Sequence, residues 1–266
     1  MRLLKLLGNL LLIAFLTVLT QTGGLIYLIT LLLIRKKKAR LFRRTLFFTA
    51  AYGITTFLIL PAAAKKFGKI AISENEGITA QAFYTKLCNR NYVVPALNET
   101  LQQASKDFSL KHPDIQVQYL DAAFPLFKDF PLYPHRGHDD GNRIDLAFIY
   151  QNPDGSMTND KPSRSGYGIF AAPKPGEVNQ AEICANQGKW QYDFTKYVTL
   201  GNANPELSLA EKATADLIKA LLAQPKSEKL FLEPHLKSRL NLTNDKVRYH
   251  GCWAVRHDDH IHFQID

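Results

Sequence analysis

The chain has 266 residues, 21% charged and 46% hydrophobic, a balance that excludes an intrinsically disordered chain; three cysteines are too few for a disulfide-stapled scaffold. Fifteen glycines and thirteen prolines without a period exclude a collagen-like fibre. The net charge of +9 belongs to one end: residues 1–69 hold twelve Lys/Arg and no Asp/Glu, while the rest hold 21 basic and 24 acidic side chains, so no nucleic-acid partner is expected.

Residues 6–34 carry no charged side chain, and neither do residues 45–64. Apolar helices of about 20 residues cross the hydrocarbon core, so these stretches predict two transmembrane helices in a lipid bilayer. Gln21, Thr22, Gly23 and Gly24 interrupt the middle of the first. Between the stretches, seven of the ten residues from Arg35 to Arg44 are basic. A short basic loop stays on the cytoplasmic side, which puts the residue-1 end and everything after residue 64 on the opposite side. A cleaved signal peptide has a shorter apolar core, of about 7–15 residues, and no second span behind it. The expected organisation is a membrane anchor over 1–69 and an extracytoplasmic domain over 70–266, entered through a linker at 65–78.

In the second part, Leu97, Leu101, Ala104 and Phe108 fall on one face of a helix from Pro95 to Phe108. Ile115, Val117 and Tyr119 alternate with polar residues, as in a half-buried strand. Arg143 to Tyr150 reads as a strand with Ile144, Leu146 and Phe148 on one face and Asp145 on the other. Residues 151–166, rich in Asn, Asp, Ser, Gly and Pro, read as a loop. Ser208 to Ala223 reads as a helix whose Ser208 and Glu211 form a capping box. Lys229 to Leu232 is a short strand ended by Pro234, and His260 to Ile265 is the last strand. Strands and helices without a regular βαβ period predict an α+β fold, a small antiparallel sheet with flanking helices.

Five of the eight histidines lie in two windows, His135–Asp145 and His257–His262. Side chains two apart in a strand share a face, so His260 and His262 project together. Asp145 meets them if its strand is their neighbour, and His138 enters from the preceding loop. Two imidazoles and a carboxylate suit Zn2+, and a fourth position left to water makes such a site catalytic. A metal there lowers the pKa of its bound water to about 7. The second window alone would fit a solvated strand edge or an ion-pair network equally well. His112, His235 and His250 stand apart and read as surface or capping residues.

The two windows resemble the zinc peptidases typified by lysostaphin, the D-alanyl-D-alanine peptidases and the penicillin-insensitive murein endopeptidase. Those enzymes carry His–x6–Asp followed later by His–x–His, matched here by His138 to Asp145 and His260 to His262. The murein endopeptidase branch is the most similar, because His135 and His257 match its additional histidines. The likeness covers roughly residues 90–266 and leaves out the apolar segments. It implies that His138, Asp145 and His262 bind zinc and that His260 is the general base or transition-state stabiliser. His257 and His135 would orient substrate or stabilise the tetrahedral intermediate. Asp259 stands where the dipeptidases of that family place a catalytic Glu, and is a second candidate base.

The reading this supports is a membrane-anchored zinc metallopeptidase cleaving peptide cross-links of peptidoglycan. It would sit in the bacterial inner membrane with its catalytic domain on the periplasmic side. A D,D-carboxypeptidase or dipeptidase would use the same chemistry on another bond. A zinc-stabilised module that binds murein or a protein without cleaving it is the non-enzymatic alternative. Cys88, Cys184 and Cys252 allow one disulfide and one thiol, or three free thiols.

Overall fold

A computed structural model of the chain describes residues 2–35, 38–130 and 136–266. In chain order it begins with helices α1 (Arg2–Thr20), α2 (Gly23–Leu33) and α3 (Arg40–Ile54). A π-turn over Thr55–Ile59 leads into α4 (Leu60–Ala64). Then follow β1 (Ile70–Ala71), β2 (Ile78–Ala80), α5 (Phe83–Leu87), β3 (Tyr92–Val93), α6 (Pro95–Ser109) and β4 (Val117–Asp121). The central part holds β5 (Arg143–Ala147), β6 (Tyr150–Gln151), β7 (Met157–Thr158), α7 (Gln180–Asn186) and β8 (Ser208–Leu209). The chain closes with α8 (Glu211–Leu222), β9 (Ser227–Phe231), α9 (Pro234–Arg239), β10 (Val247–Arg248) and β11 (His260–Ile265). Two compact units emerge, one around α1–α4 and one around the main sheet.

In the first unit, two helical stretches are long and apolar enough to cross a membrane, Leu3–Thr20 and Arg40–Phe67. The first charge-free stretch, expected as one span over 6–34, is broken. Gln21 adopts a left-handed φ of +67°, ending α1, and α2 starts two residues later. The reason is local. Thr20 accepts the Gly23 N–H at 2.8 Å, Gln21 accepts the Leu126 N–H at 3.0 Å, and Asn89 donates to the Thr20 carbonyl at 2.9 Å. Thr20 and Gln21, with Gly23, thus form a bonded turn in an apolar run. The second stretch stays helical past its expected end at 64. Pro61 has no N–H to give, and the Leu60 N–H reaches five residues back to Thr55, widening the helix into the π-turn. Leu60, Ala64 and Tyr92 form a buried cluster with Ala71 and Leu126 against it, and β1 pairs with β3.

The second unit is built on a six-stranded sheet in the order β10-β9-β11-β5-β4-β2. The fold is α+β as expected, but the sheet is mixed. Its centre is antiparallel, β9 to β11 to β5 to β4, and its two edge strands run parallel to their neighbours. Ile144, Leu146, Leu230, Ile261 and Phe263 alternate onto one face and are fully buried. Each such side chain contributes about 1.5–3 kcal/mol of burial. All five residues of β4 are buried, so its polar positions do not face solvent as the alternation suggested.

The α6 stripe is buried where the 3.6-residue period placed it, at Leu97, Leu101, Ala104 and Phe108. The capping box before α8 does not form. Ser208 and Leu209 are instead β8, pairing with Gln151 and Tyr150 of β6, and Ala210 is the cap residue without a side-chain bond. Sheet pairing outcompetes a cap because it satisfies several backbone groups at once. The 151–166 loop is interrupted by β7, the third strand of that small sheet.

Candidate metal centre

β11 lies between β9 and β5, and the antiparallel register sets His262 directly opposite Asp145 and His260 opposite Ala147. Opposed residues share a face, so Asp145, His260 and His262 project together, away from Ile144, Ile261 and Phe263. The His262 Nδ1 is 2.9 Å from Asp145 Oδ1, and the His260 Nε2 is 3.7 Å from Asp145 Oδ2. His138 ends the short 3-10 turn Arg136–His138, and Gly141, at a φ of +84°, turns the chain toward β5. His138, Asp145 and His262 are all buried, and their ligand atoms lie within 4.8 Å of one another. This group could hold a metal ion. Two imidazoles and a carboxylate are hard-to-borderline donors, and the β11–β5 ladder, of which His262 and Asp145 are the middle pair, fixes two of the three members.

The surroundings of these donors were only partly foreseen. Tyr167 donates its hydroxyl to Asp145 Oδ2 at 2.8 Å, leaving Oδ1 toward His262. Its ring meets His260 edge-on, with centroids 5.0 Å apart. Tyr167 stands between Gly166 and Gly168, both at positive φ, a lone aromatic in a polar loop. That isolated aromatic between glycines is the signal that could have found it.

Asp259 is fully buried and has both carboxylate oxygens engaged. Oδ1 faces the His260 Nδ1 at 2.5 Å, and Oδ2 accepts the Gly168 N–H at 2.6 Å. His257 is buried among the rings of Phe231, His260 and His262, at centroid distances of 5.8, 5.0 and 5.7 Å. Burial, with the adjoining imidazoles of His260 and His262, holds its pKa well below the ordinary histidine value, so it is neutral at pH 7. Its backbone is pinned by Glu233. Glu233 Oε1 accepts the His257 N–H at 3.1 Å, and Oε2 accepts the Tyr192 hydroxyl at 2.5 Å. Burial raises the Glu233 carboxyl.

One step back along the chain, Arg256 forks onto Asp258 through Nε and Nη2, at 2.7 and 2.5 Å, and reaches Asp193 at 3.0 Å. Burial pushes the Asp258 carboxyl up to about 6 even against the pull of Arg256. Cys252, four residues before Arg256, is bonded to Cys184, and Cys88 is not part of that disulfide. The second histidine window is thus tied down by a disulfide, an ion-pair fork and a carboxylate before it enters β11.

Of the site residues named from sequence, His257, Asp259, His260 and His262 are gathered on and just before β11, Asp145 faces them from β5, and His138 joins Asp145 and His262 in the candidate metal group. His135 lies outside the described residues. His112 and His235 are buried rather than at the surface. His112 pairs with Asp216 at 3.1 Å, and His235 hydrogen bonds the Ala171 carbonyl at 2.8 Å. His250 packs its ring on Phe231 at 4.3 Å and stacks with His257 at 5.8 Å, so it borders the cluster instead of standing apart. No protein-family model and no curated protein matches the chain.

Proposed function

We propose that the protein is a membrane-anchored zinc peptidase that hydrolyses peptide cross-links of murein. The observation that carries this reading is the register of β11 on β5. It puts Asp145, His262 and His260 on one face with His138 completing a three-donor group, while Asp259 backs His260. The donors fit zinc, with His138, Asp145 and His262 holding it. A zinc ion bound there would polarise the scissile carbonyl and make water nucleophilic near neutral pH.

The remaining chemistry belongs to side chains. Asp259, bonded at the His260 Nδ1, selects the tautomer with the proton on that nitrogen, which makes Nε2 the nitrogen that takes and returns a proton. Because Gly168 holds its second oxygen, Asp259 acts as the orienting partner of the base and not as the base. His257, neutral and held in place by Glu233, donates a hydrogen bond to the developing oxyanion. Tyr167 fixes the Asp145 carboxylate, the outer-layer support on which ligand geometry depends.

The Cys184–Cys252 disulfide supports placing this unit outside the cytoplasm, where such bonds persist. The test is digestion of purified murein by the full chain, with chromatographic and mass identification of the products. Conversion of cross-linked dimers to monomers, abolished by chelation and restored by zinc, supports the reading. Release of terminal D-alanine alone would make the protein a carboxypeptidase, and binding without products would make it a non-catalytic module.

A further inference from the structure

The first apolar stretch folds back on itself. Gly24 of α2 is so close to α1 that a Cβ there would stand 1.9 Å from the Thr17 hydroxyl and 2.4 Å from the Ile13 carbonyl. Three residues further along α2, the Tyr27 hydroxyl donates to Asn9 at 2.8 Å. As numbers rise in α2 their partners fall in α1, so the two helices are antiparallel. At the far end of α2, Arg44 of α3 donates to the Ile34 and Leu31 carbonyls, at 3.1 and 3.4 Å. That contact caps the last turn of α2 and brings the start of α3 beside it.

The consequence concerns charge. With α2 returning along α1, the Arg2 end of α1, the end of α2 and the beginning of α3 lie at one end of the helical group. Residues 1–44 hold Arg2, Lys5, Arg35, Lys36, Lys37, Lys38, Arg40, Arg43 and Arg44, and no acidic side chain. The same end exposes Leu3, Leu4, Leu41 and Phe42, which are 68, 77, 82 and 69% accessible. Basic groups interleaved with exposed apolar side chains match a lipid interface, where stems lie in the acyl boundary and charges meet headgroups.

We infer that α1 and α2 enter the membrane as one hairpin, so that the Arg2 end of α1 and the beginning of α3 share the cytoplasmic face and form a surface that binds anionic phospholipid headgroups. The sequence expectation had put these two ends on opposite sides. The hairpin also gathers all nine charges on one side, which the positive-inside rule favours over a split of two against seven. The inference shares the membrane orientation of the proposed function but does not depend on its chemistry.

Two measurements on the full chain test it. With Cys88→Ser as background, Leu3→Cys and Lys38→Cys should both be shielded from a membrane-impermeant maleimide in intact spheroplasts and both react after lysis. Labelling of Leu3→Cys alone in intact spheroplasts restores the two-span topology and overturns the hairpin; labelling of Lys38→Cys overturns the orientation. For the ligand, the purified chain is incubated with dioleoylphosphatidylglycerol or dioleoylphosphatidylcholine, and retained lipid is quantified by mass spectrometry. Each basic side chain near an anionic surface strengthens association about fivefold. Arg2→Gln with Lys5→Gln, and a fourfold variant adding Lys38→Gln and Arg40→Gln, should lower phosphatidylglycerol affinity stepwise, by about 25-fold in the first and roughly several hundredfold in the second. Phosphatidylcholine retention should not change. Equal retention of both lipids by the unsubstituted chain, or no loss in the fourfold variant, would overturn the lipid assignment while leaving zinc content and murein cleavage to judge the enzyme separately.

Discussion

Two places in the molecule bring backbones together, β11 on β5 and α2 on α1, and they do it by different physics. In the sheet, the ladder and the alternation of Ile261 and Phe263 with His260 and His262 fix the register, because a one-residue slip would turn the imidazoles into the apolar core and Ile261 and Phe263 onto the face of Asp145. In the hairpin no ladder exists, and close approach depends on the missing side chain at Gly24. The sheet therefore tolerates changes of side chain on its polar face and loses function with them. The hairpin has little chemistry to lose and is sensitive to a single added Cβ.

The largest expected effect is on the sheet. His262→Ala and Asp145→Ala should each lose zinc and murein cleavage together while keeping the fold, because the opposite face of β11 is untouched; metal analysis and circular dichroism on the same preparations check this. Next in size, His260→Ala should retain zinc and lose about 10²–10⁴-fold in turnover, the usual contribution of an acid–base group. Asp259→Ala should retain zinc with a smaller loss; a loss equal to that of His260→Ala would make Asp259 the base. Tyr167→Phe removes one hydrogen bond to Asp145 and should weaken zinc about 10–100-fold, read by competition with a chelator.

The hairpin is broken by bulk. Gly24→Leu forces a side chain against the Thr17 hydroxyl and the Ile13 carbonyl and should cost about 1–3 kcal/mol, as overpacking does. It should lower the melting temperature of the full chain while zinc content stays constant. A variant with unchanged stability would mean that α1 and α2 do not pack at Gly24. In the sheet unit, the loss of stability to set beside that of Gly24→Leu comes from Cys184→Ser with Cys252→Ser, and it is the larger of the two. It opens a link across 68 residues and should cost about 4 kcal/mol in the chain-entropy account, with zinc still bound once folded. Its effect on the melting transition belongs to the sheet unit.

The same contrast explains what could be read from residues alone. Strand alternation has period two and is local, so β5, β11 and the shared face of Asp145, His260 and His262 were legible, given only that the strands are neighbours. The α6 stripe was legible for the same reason with period 3.6. The hairpin was not, because absence of charge measures apolarity and says nothing of direction. Gln21 to Gly24 marked the break, but only the bonds to Asn89 and Leu126 turn it into a reversal. Ser208 was misread because its local signal suits a cap, while its partner in β6 lies 57 residues away in sequence. Glu233 and Arg256 support the site through contacts with His257 and Asp193 that are distant in the chain, and no spacing rule marks them, whereas Tyr167 is marked only by the glycines on either side of it.

The most direct test is zinc content and murein cleavage measured together on the full chain and on His262→Ala and His260→Ala. The account predicts one zinc per wild-type chain, cleavage of murein cross-links, loss of metal and activity in His262→Ala, and retained metal without turnover in His260→Ala. A wild-type chain that holds no stoichiometric zinc in non-chelating buffer, or a His260→Ala variant with full activity, would contradict it.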